Sequence, residues 1–364
     1  MKATRRGVRR IALIALAAVL VVALAVIVKL RNCTNPDYIE ERISAAMGPD
    51  YRIDVGSSVF NPLARRFVAA DISIVPDTTS PAVRDGKLRT RYAFAASELR
   101  VIGIDLWALY HGRVAVGSIR IKAPVAEIYL DRTVPGAQEA TPSTLPHELL
   151  VSCGRPVRIN TIHITDGDLR YSERAADGIR PGTFQFADLS AMITHVTNDT
   201  TRMGTPCAIE VRARLADAGQ MEAMFEYDLA SKRLNMAYRG SVGAMGASSL
   251  NELLVDLEGI RVTGGTIDST SFSFHVVDDV ATGELQVLYH DVDFEMVDKN
   301  TREEGISERF ATFMTNTKIR PSNPDGDEPP IVVTIVRERE PHVPLFKFVW
   351  KTIREGLLST LGVQ

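Results

Sequence analysis

Cysteine is scarce, three in 364 residues, so no disulfide framework can hold a chain of this size. Cys33 follows Leu30-Arg31-Asn32 and lacks the small residue that a lipoprotein cleavage site places before its cysteine. Cys153 and Cys207 leave two readings open, a pair formed in an oxidising compartment or two buried small hydrophobes. Metal-binding patterns are missing too. His111, His147, His163, His195, His275, His290 and His342 are scattered, with no His-Glu-x-x-His spacing and no Cys-x-x-Cys companion. His163 and His275 fall at polar positions between apolar strand residues, where a histidine faces solvent. No Gly-x-Ser-x-Gly elbow, Walker loop or dinucleotide fingerprint occurs, and Gly240-Ser241-Val242-Gly243 has neither the spacing nor the strand-to-helix setting. The chain reads as a non-enzyme that needs no cofactor.

Basic charge is short outside the N-terminus. Seven bases and no acid lie in the first 31 residues, and the remainder, with 35 bases against 45 acids, carries −10. Nucleic acid is therefore not an expected partner, because phosphate binding needs clustered Lys and Arg. Asn323-Pro324-Asp325-Gly326-Asp327-Glu328 has the oxygen density of a calcium loop but departs from the EF-hand spacing and runs into Pro329-Pro330, so it reads as a solvated turn. Asp166 and Asp168 flank Gly167 and read as turn residues rather than an acid/base pair.

Hydrophobic length is what the N-terminus does have. Ile11 to Val28 is an unbroken apolar run of 18 residues, a helix of about 27 Å against a hydrocarbon core of ~30 Å. A cleaved signal peptide is the rival reading, but its apolar region is shorter and ends at a small-x-small site, whereas Lys29, Leu30 and Arg31 follow here. A retained single-pass anchor is expected at 11–30. Five bases before the run place the tail 1–10 in the cytoplasm and the bulk of the chain across the membrane. Asn35-Pro36-Asp37 then starts a short helix that Gly48 closes.

From Tyr51 the pattern changes to alternation: Ile119, Ile121; Ile162, Ile164; Phe184, Phe186; Ile209, Val211; Phe225, Tyr227; Phe272, Phe274; Leu285, Val287; Ile331, Val333. Period two makes strands with one apolar and one polar face. Roughly fourteen are expected, mostly antiparallel, joined by turns such as Asp166-Gly167-Asp168 and Gly264-Gly265. The helical segments are few: Asp105 to Tyr110, Ser249 to Leu257, Ser307 to Phe313 and Leu345 to Leu361. They are too few to cover the sheet, which must curl, pack as a sandwich or leave an apolar concave face. The aperiodic stretch 133–156 reads as a linker or loop between a unit at 31–132 and a continuing sheet at 157–343.

In the C-terminal segment 344–364, Leu345, Val349, Ile353 and Leu357 share one helical face, with Phe346 and Trp350 beside them and Lys347, Lys351 and Arg354 on another. The expectation is a helix that plugs the end of the sheet, in preference to one on an anionic membrane.

Several segments resemble the AsmA-like proteins of diderm bacteria. These are Tyr51-Arg52-Ile53-Asp54-Val55-Gly56, Phe60-Asn61-Pro62-Leu63 and Ala69-Ala70-Asp71-Ile72-Ser73-Ile74, followed by Ile104-Asp105-Leu106-Trp107-Ala108-Leu109, Ile119-Arg120-Ile121 and Pro124 to Tyr129. Asp166 to Tyr171, Leu250 to Leu254, Gly283-Glu284-Leu285, Tyr289 to Val292, Asn323-Pro324, Arg337 and Trp350 to Leu357 are similar to later parts of that family. The resemblance implies a mainly β protein anchored in the inner membrane, its bulk in the periplasm, with a long, curled, largely antiparallel sheet forming a groove. It implies phospholipid as partner, and the apolar face that alternation assigns to Ile209, Val211, Phe225, Tyr227, Phe272, Phe274, Leu285 and Val287 is where its acyl chains are expected to lie. The larger relatives, AsmA/TamB-type and chorein-like bridges, are held to carry phospholipid between membranes. A shorter chain of this kind is expected to assist transfer for envelope homeostasis. The alternative is a periplasmic scaffold that binds envelope proteins during outer-membrane assembly.

Overall fold

Alternation becomes structure over nearly the whole body of the chain. The computed structural model describes residues 36–135, 145–199, 204–302, 320–341 and 343–361. The Ile11–Val28 run, Cys33, the Ser307–Phe313 segment and His342 lie outside the described residues. Among the described residues no helix is long and apolar enough to cross a membrane.

Helix α1 (Pro36–Met47) ends at Gly48, whose φ of 91° turns the chain into β1 (Tyr51–Asn61). Then come β2 (Arg66–Pro76), α2 (Pro81–Arg84), β3 (Thr90–Ile102), α3 (Leu106–Tyr110), β4 (Val114–Lys122) and β5 (Val125–Asp131). Helix α4 (Pro146–Ser152) leads to β6 (Val157–Arg174), β7 (Pro181–Thr197), β8 (Cys207–Leu215), β9 (Gly219–Tyr227), β10 (Met236–Val242) and β11 (Met245–Gly246). A 3-10 turn and α5 (Asn251–Glu258) precede β12 (Ile260–Val277), β13 (Val280–Met296), β14 (Val332–Glu338) and α6 (Leu345–Thr360).

All fourteen strands form one sheet in the order β1-β2-β3-β4-β6-β7-β8-β9-β10-β12-β13-β14, with β5 paired to β3 and β6, and β11 to β12. Pairing is antiparallel except where β6 runs parallel to β4 and β5. A parallel pair needs a crossover, and the stretch expected as a linker supplies it. It is not structureless: Pro146 opens α4, the Glu148 carboxylate accepts the Leu145 N–H at 2.8 Å, and Leu145, His147 and Leu150 are buried. Nor does it separate two halves, since β4 and β5 are zipped to β6.

Asp166-Gly167-Asp168 and Gly264-Gly265, expected from their composition to be turns, do not reverse the chain. They kink the 18-residue strands β6 and β12. The cause is the neighbouring strand. β6 pairs first with β4 and then with β5, and it bends opposite the break at Ala123-Pro124, where Ala123 N–H donates to Thr165 O and Asp168 N–H to Pro124 O, each at 2.8 Å. β12 bends at Gly264-Gly265 just past the point where β11 stops pairing with it, at Gly246 opposite Thr266. A Cβ at Gly265 would sit 2.5 Å from Asp291 O, so only glycine fits there.

The sheet curls. The β6–β7 hairpin tip meets the chain just after β13, with the Ile179 N–H on Asn300 Oδ1 at 2.9 Å and Asn300 Nδ2 on Asp177 O at 3.3 Å. Helix α5 packs on both β7 and β12, and its approach to β7 requires Gly182, where a Cβ would lie 2.7 Å from Leu253 O.

Candidate functional site

Register assembles the apolar face. Phe60, Phe67, Val101, Ile119, Ile162, Ile193, Ile209, Phe225, Tyr238, Phe274, Gly283 and Ile335 are successive cross-strand partners, one from every strand of the twelve-strand path. Direct partners share a face, so one row of largely apolar side chains crosses the whole sheet. Eleven gaps of ~4.8 Å make it about 53 Å measured along the sheet. The adjacent row runs Val211, Ala223, Gly240, Phe272, Leu285, Val333.

The eight residues singled out as a groove therefore lie on one surface, but they do not line an open channel. Tyr227, Phe274, Leu285 and Val287 are buried, Ile209, Phe225 and Phe272 are half-buried and packed against the core, and Val211 is half-buried. Tyr238, absent from the sequence reading of the site, is its centre: its ring stacks on Phe225 at 6.1 Å and Phe274 at 5.1 Å. Leu234, Met236 and Tyr238 alternate in the sequence as the residues of the other strands do, which is the signal for it. Glycine makes the packing close, since a Cβ at Gly240 would lie 2.6 Å from Phe272 Cζ and one at Gly283 2.6 Å from Phe274 Cδ1.

The cover is α6, which lies across the face rather than plugging its end. Phe348, Thr352, Gly356 and Thr360 are its buried seam. Leu345, Val349, Ile353 and Leu357, the face expected to be innermost, are half-buried on its flank. Small residues move the seam. A Cβ at Gly356 would meet Ile335 Cδ1 at 2.6 Å and Leu285 Cβ at 3.1 Å, so the helix backbone rests on β13 and β14. The Thr352 and Thr360 hydroxyls donate to the carbonyls of Phe348 and Gly356, both at 2.9 Å, and carry no unsatisfied polarity into the interior. On the other side Phe346 meets Tyr171 of β6 at 5.8 Å and Trp350 meets Phe184 of β7 at 5.3 Å.

The bases of α6 are engaged by protein. Arg354 holds the Glu258 carboxylate at 2.8 and 3.1 Å, and Lys351 pairs with Glu340 at 3.2 Å. Burial depresses the Lys347 ammonium below its ordinary range, with Arg132 adding to the effect. Arg339, after β14, bonds Asp279 at 2.8 Å and the Val343 carbonyl at 3.1 Å, fixing the entry to α6.

Helix α4 covers the same interior near β9. His147 Nδ1 lies 2.8 Å from the Tyr227 hydroxyl, and burial pushes the imidazole below its ordinary value. The signal for this helix was Pro146 followed two residues later by Glu148. Cys153 and Cys207 are free thiols, raised by burial, Cys207 to about 12. Asn323 is not solvated as its turn composition suggests: its side chain bonds Val287 O at 2.6 Å and the Ile331 N–H at 2.8 Å, while Asp325, Asp327 and Glu328 are exposed. Among the described residues no three His, Cys, Asp or Glu side chains converge to hold a metal. Such an interior is held together by non-directional apolar contact.

No family model matches the chain, and no curated protein matches it either.

Proposed function

We propose that this is an inner-membrane-anchored, periplasmic, AsmA-like protein that carries phospholipid acyl chains rather than catalysing a reaction. On this reading α6 and the acyl chains are alternative occupants of one apolar face. The observation that supports it is the cover itself: a row of apolar side chains spans the sheet, yet over β10 to β14 it is closed, among the described residues, by a single amphipathic helix that offers one large side chain, Phe348, from its buried seam. Contacts of that kind are non-directional, so hydrocarbon can replace them. The Ile11–Val28 run is taken as the anchor, and a row of about 53 Å suits partner-assisted transfer better than single-handed bridging of two membranes.

Native mass spectrometry of the full chain in mild detergent tests this. Phospholipid should accompany the wild type, more should accompany Gly356→Leu, whose side chain expels α6, and none should accompany Phe225→Asp. Lipid missing from all three would remove the reading.

The second reading is the periplasmic scaffold that binds envelope proteins. It draws on the interlocking of Gly240, Gly283 and Gly356 with their neighbours, which is the packing of a permanent core. It predicts that Phe225→Asp unfolds the protein and that no lipid is ever bound.

A further inference from the structure

One end of the sheet carries large apolar side chains in water. Leu63 is 96% exposed, Trp107 70% and Tyr110 83%. They belong together because the β1–β2 turn is tied to the segment before α3. The Ile104 N–H donates to Arg65 O at 3.0 Å and Arg65 Nε to Ile104 O at 2.9 Å. Both carriers are held in shape. Asn61 Oδ1 accepts the Ala64 N–H at 2.8 Å, which fixes the turn that raises Leu63. Asp105 caps α3 through the N–H groups of Trp107 and Ala108, and the Trp107 ring lies 6.1 Å from Tyr110 and 4.4 Å from His111. Preset rings lose little freedom on binding.

Charge at this end runs against the rest of the molecule. Arg65, Arg66 and Arg113 are exposed here, on a body that carries −10 outside its first 31 residues. The nearby Asp105 carboxylate is occupied as the cap of α3. Exposed Trp and Tyr with a protruding Leu and a ring of Arg form the composition of a membrane–water boundary, where rings sit at headgroup depth and guanidinium meets phosphate.

Chain direction points the same way. Helix α1 runs back along β1, because its end at Met47 turns directly into Tyr51 while Glu40, two turns earlier, accepts the Val55 N–H at 2.8 Å. Its first residue, Pro36, is therefore displaced along β1 towards Asn61 and the Leu63 turn. Seven residues separate Pro36 from Val28, the last of the apolar run, and they can span at most ~25 Å.

We infer that this end of the sheet docks on an anionic phospholipid bilayer, with Leu63, Trp107 and Tyr110 in the boundary layer and Arg65, Arg66 and Arg113 on its phosphates. The inference rests on the anchor reading above and adds to it. The anchor would then hold the sheet at a defined end, with its strands rising from the membrane instead of swinging on a tether.

The test uses the full chain reconstituted in vesicles of phosphatidylglycerol and phosphatidylethanolamine containing phospholipid brominated near the top of the acyl chain. The chain has two tryptophans, and Trp350 is kept in every variant, so the difference between wild type and Trp107→Phe reports Trp107 alone. Vesicle flotation is read first, then quenching. The expected result is co-flotation of both proteins with quenching that is lost in Trp107→Phe and weakened by Arg66→Glu with Arg113→Glu. Co-flotation with equal quenching in wild type and Trp107→Phe would overturn the docking and leave the anchor standing, making this face a protein-contact surface instead. Failure to float would overturn both.

Discussion

At the residue scale, His147 couples the interior to pH. Its folded-state pKa lies below the ordinary 6.5 because burial disfavours the imidazolium. The unfolded chain therefore binds the proton more readily, and stability should be constant above about pH 7 and fall as pH drops through 6.5. His147→Asn keeps an acceptor or donor near the Tyr227 hydroxyl and removes the titration. Urea midpoints measured between pH 7.5 and 5.5 should slope for the wild type and flatten for the variant, and parallel slopes would exclude His147 as their source. Arg339 is a buried base held by named partners: its Nε donates to Asp279 and its Nη1 to the Pro341 and Val343 carbonyls. Arg339→Ala removes the nearer of two guanidinium partners of Asp279, whose side chain is 16% exposed and which keeps Arg233 at 3.5 Å, and the loss of such a charged hydrogen bond costs about 1.5–3 kcal/mol. Chemical denaturation should show that loss, whereas Arg52→Ala, from the exposed pair with Asp54, should be nearly neutral.

At the element scale, α6 separates what the sequence states from what it leaves open. Its limits and amphipathic character were legible from Leu345, Val349 and Ile353, whereas its expected place at the end of the sheet is not the one it takes. The seam was not legible, because Thr352, Gly356 and Thr360 are unremarkable on a hydropathy scale and become innermost only when β13 and β14 supply a flat surface for close approach. The kinks of β6 and β12 escaped for the same reason. Asp-Gly and Gly-Gly specify a positive φ, and only the strand opposite decides whether that turns the chain or bends it. Local alternation, by contrast, identified all eight face residues. The order of the rows then follows from pairing that no single strand encodes. Phe348, 1% exposed, should thus be the anchor of α6: Phe348→Ala should cost about 3–5 kcal/mol, and Trp350→Ala, half-buried against Phe184, about 1–2 kcal/mol. Reversing Lys347, Lys351 and Arg354 together should lower the melting temperature by a few degrees, since two of them would then oppose Glu340 and Glu258. Thermal melts of the three variants check the order, and a Trp350→Ala loss exceeding that of Phe348→Ala would reverse it.

At the scale of the whole molecule, the question is whether the units at 31–132 and 157–343 behave as two bodies or one. Composition divides them, because residues 133–156 lack periodicity. Pairing joins them, because β6 carries two neighbours at once: Val114 to Lys122 lies along Val157 to Thr165, and Val125 to Asp131 along Asp168 to Arg174. Charge reinforces the seam, with Arg174 on Asp131 at 2.8 Å and Arg132 paired to Glu173. The buried cluster also runs unbroken from Ile39 of α1 through Ile119 and Ile162 at this junction to Phe348 of α6. A boundary between domains is crossed by few contacts, whereas this one is closed by backbone hydrogen bonds and a shared core. Cutting the chain between β5 and α4 should accordingly leave both pieces in place. With a protease site engineered at Ala140 and cleaved after purification, the fragments should elute together on gel filtration and melt in one calorimetric transition. Separation of the fragments in native buffer, or two resolved transitions before any cleavage, would mean that the β4–β6 and β5–β6 pairings do not bind the halves into a single cooperative unit.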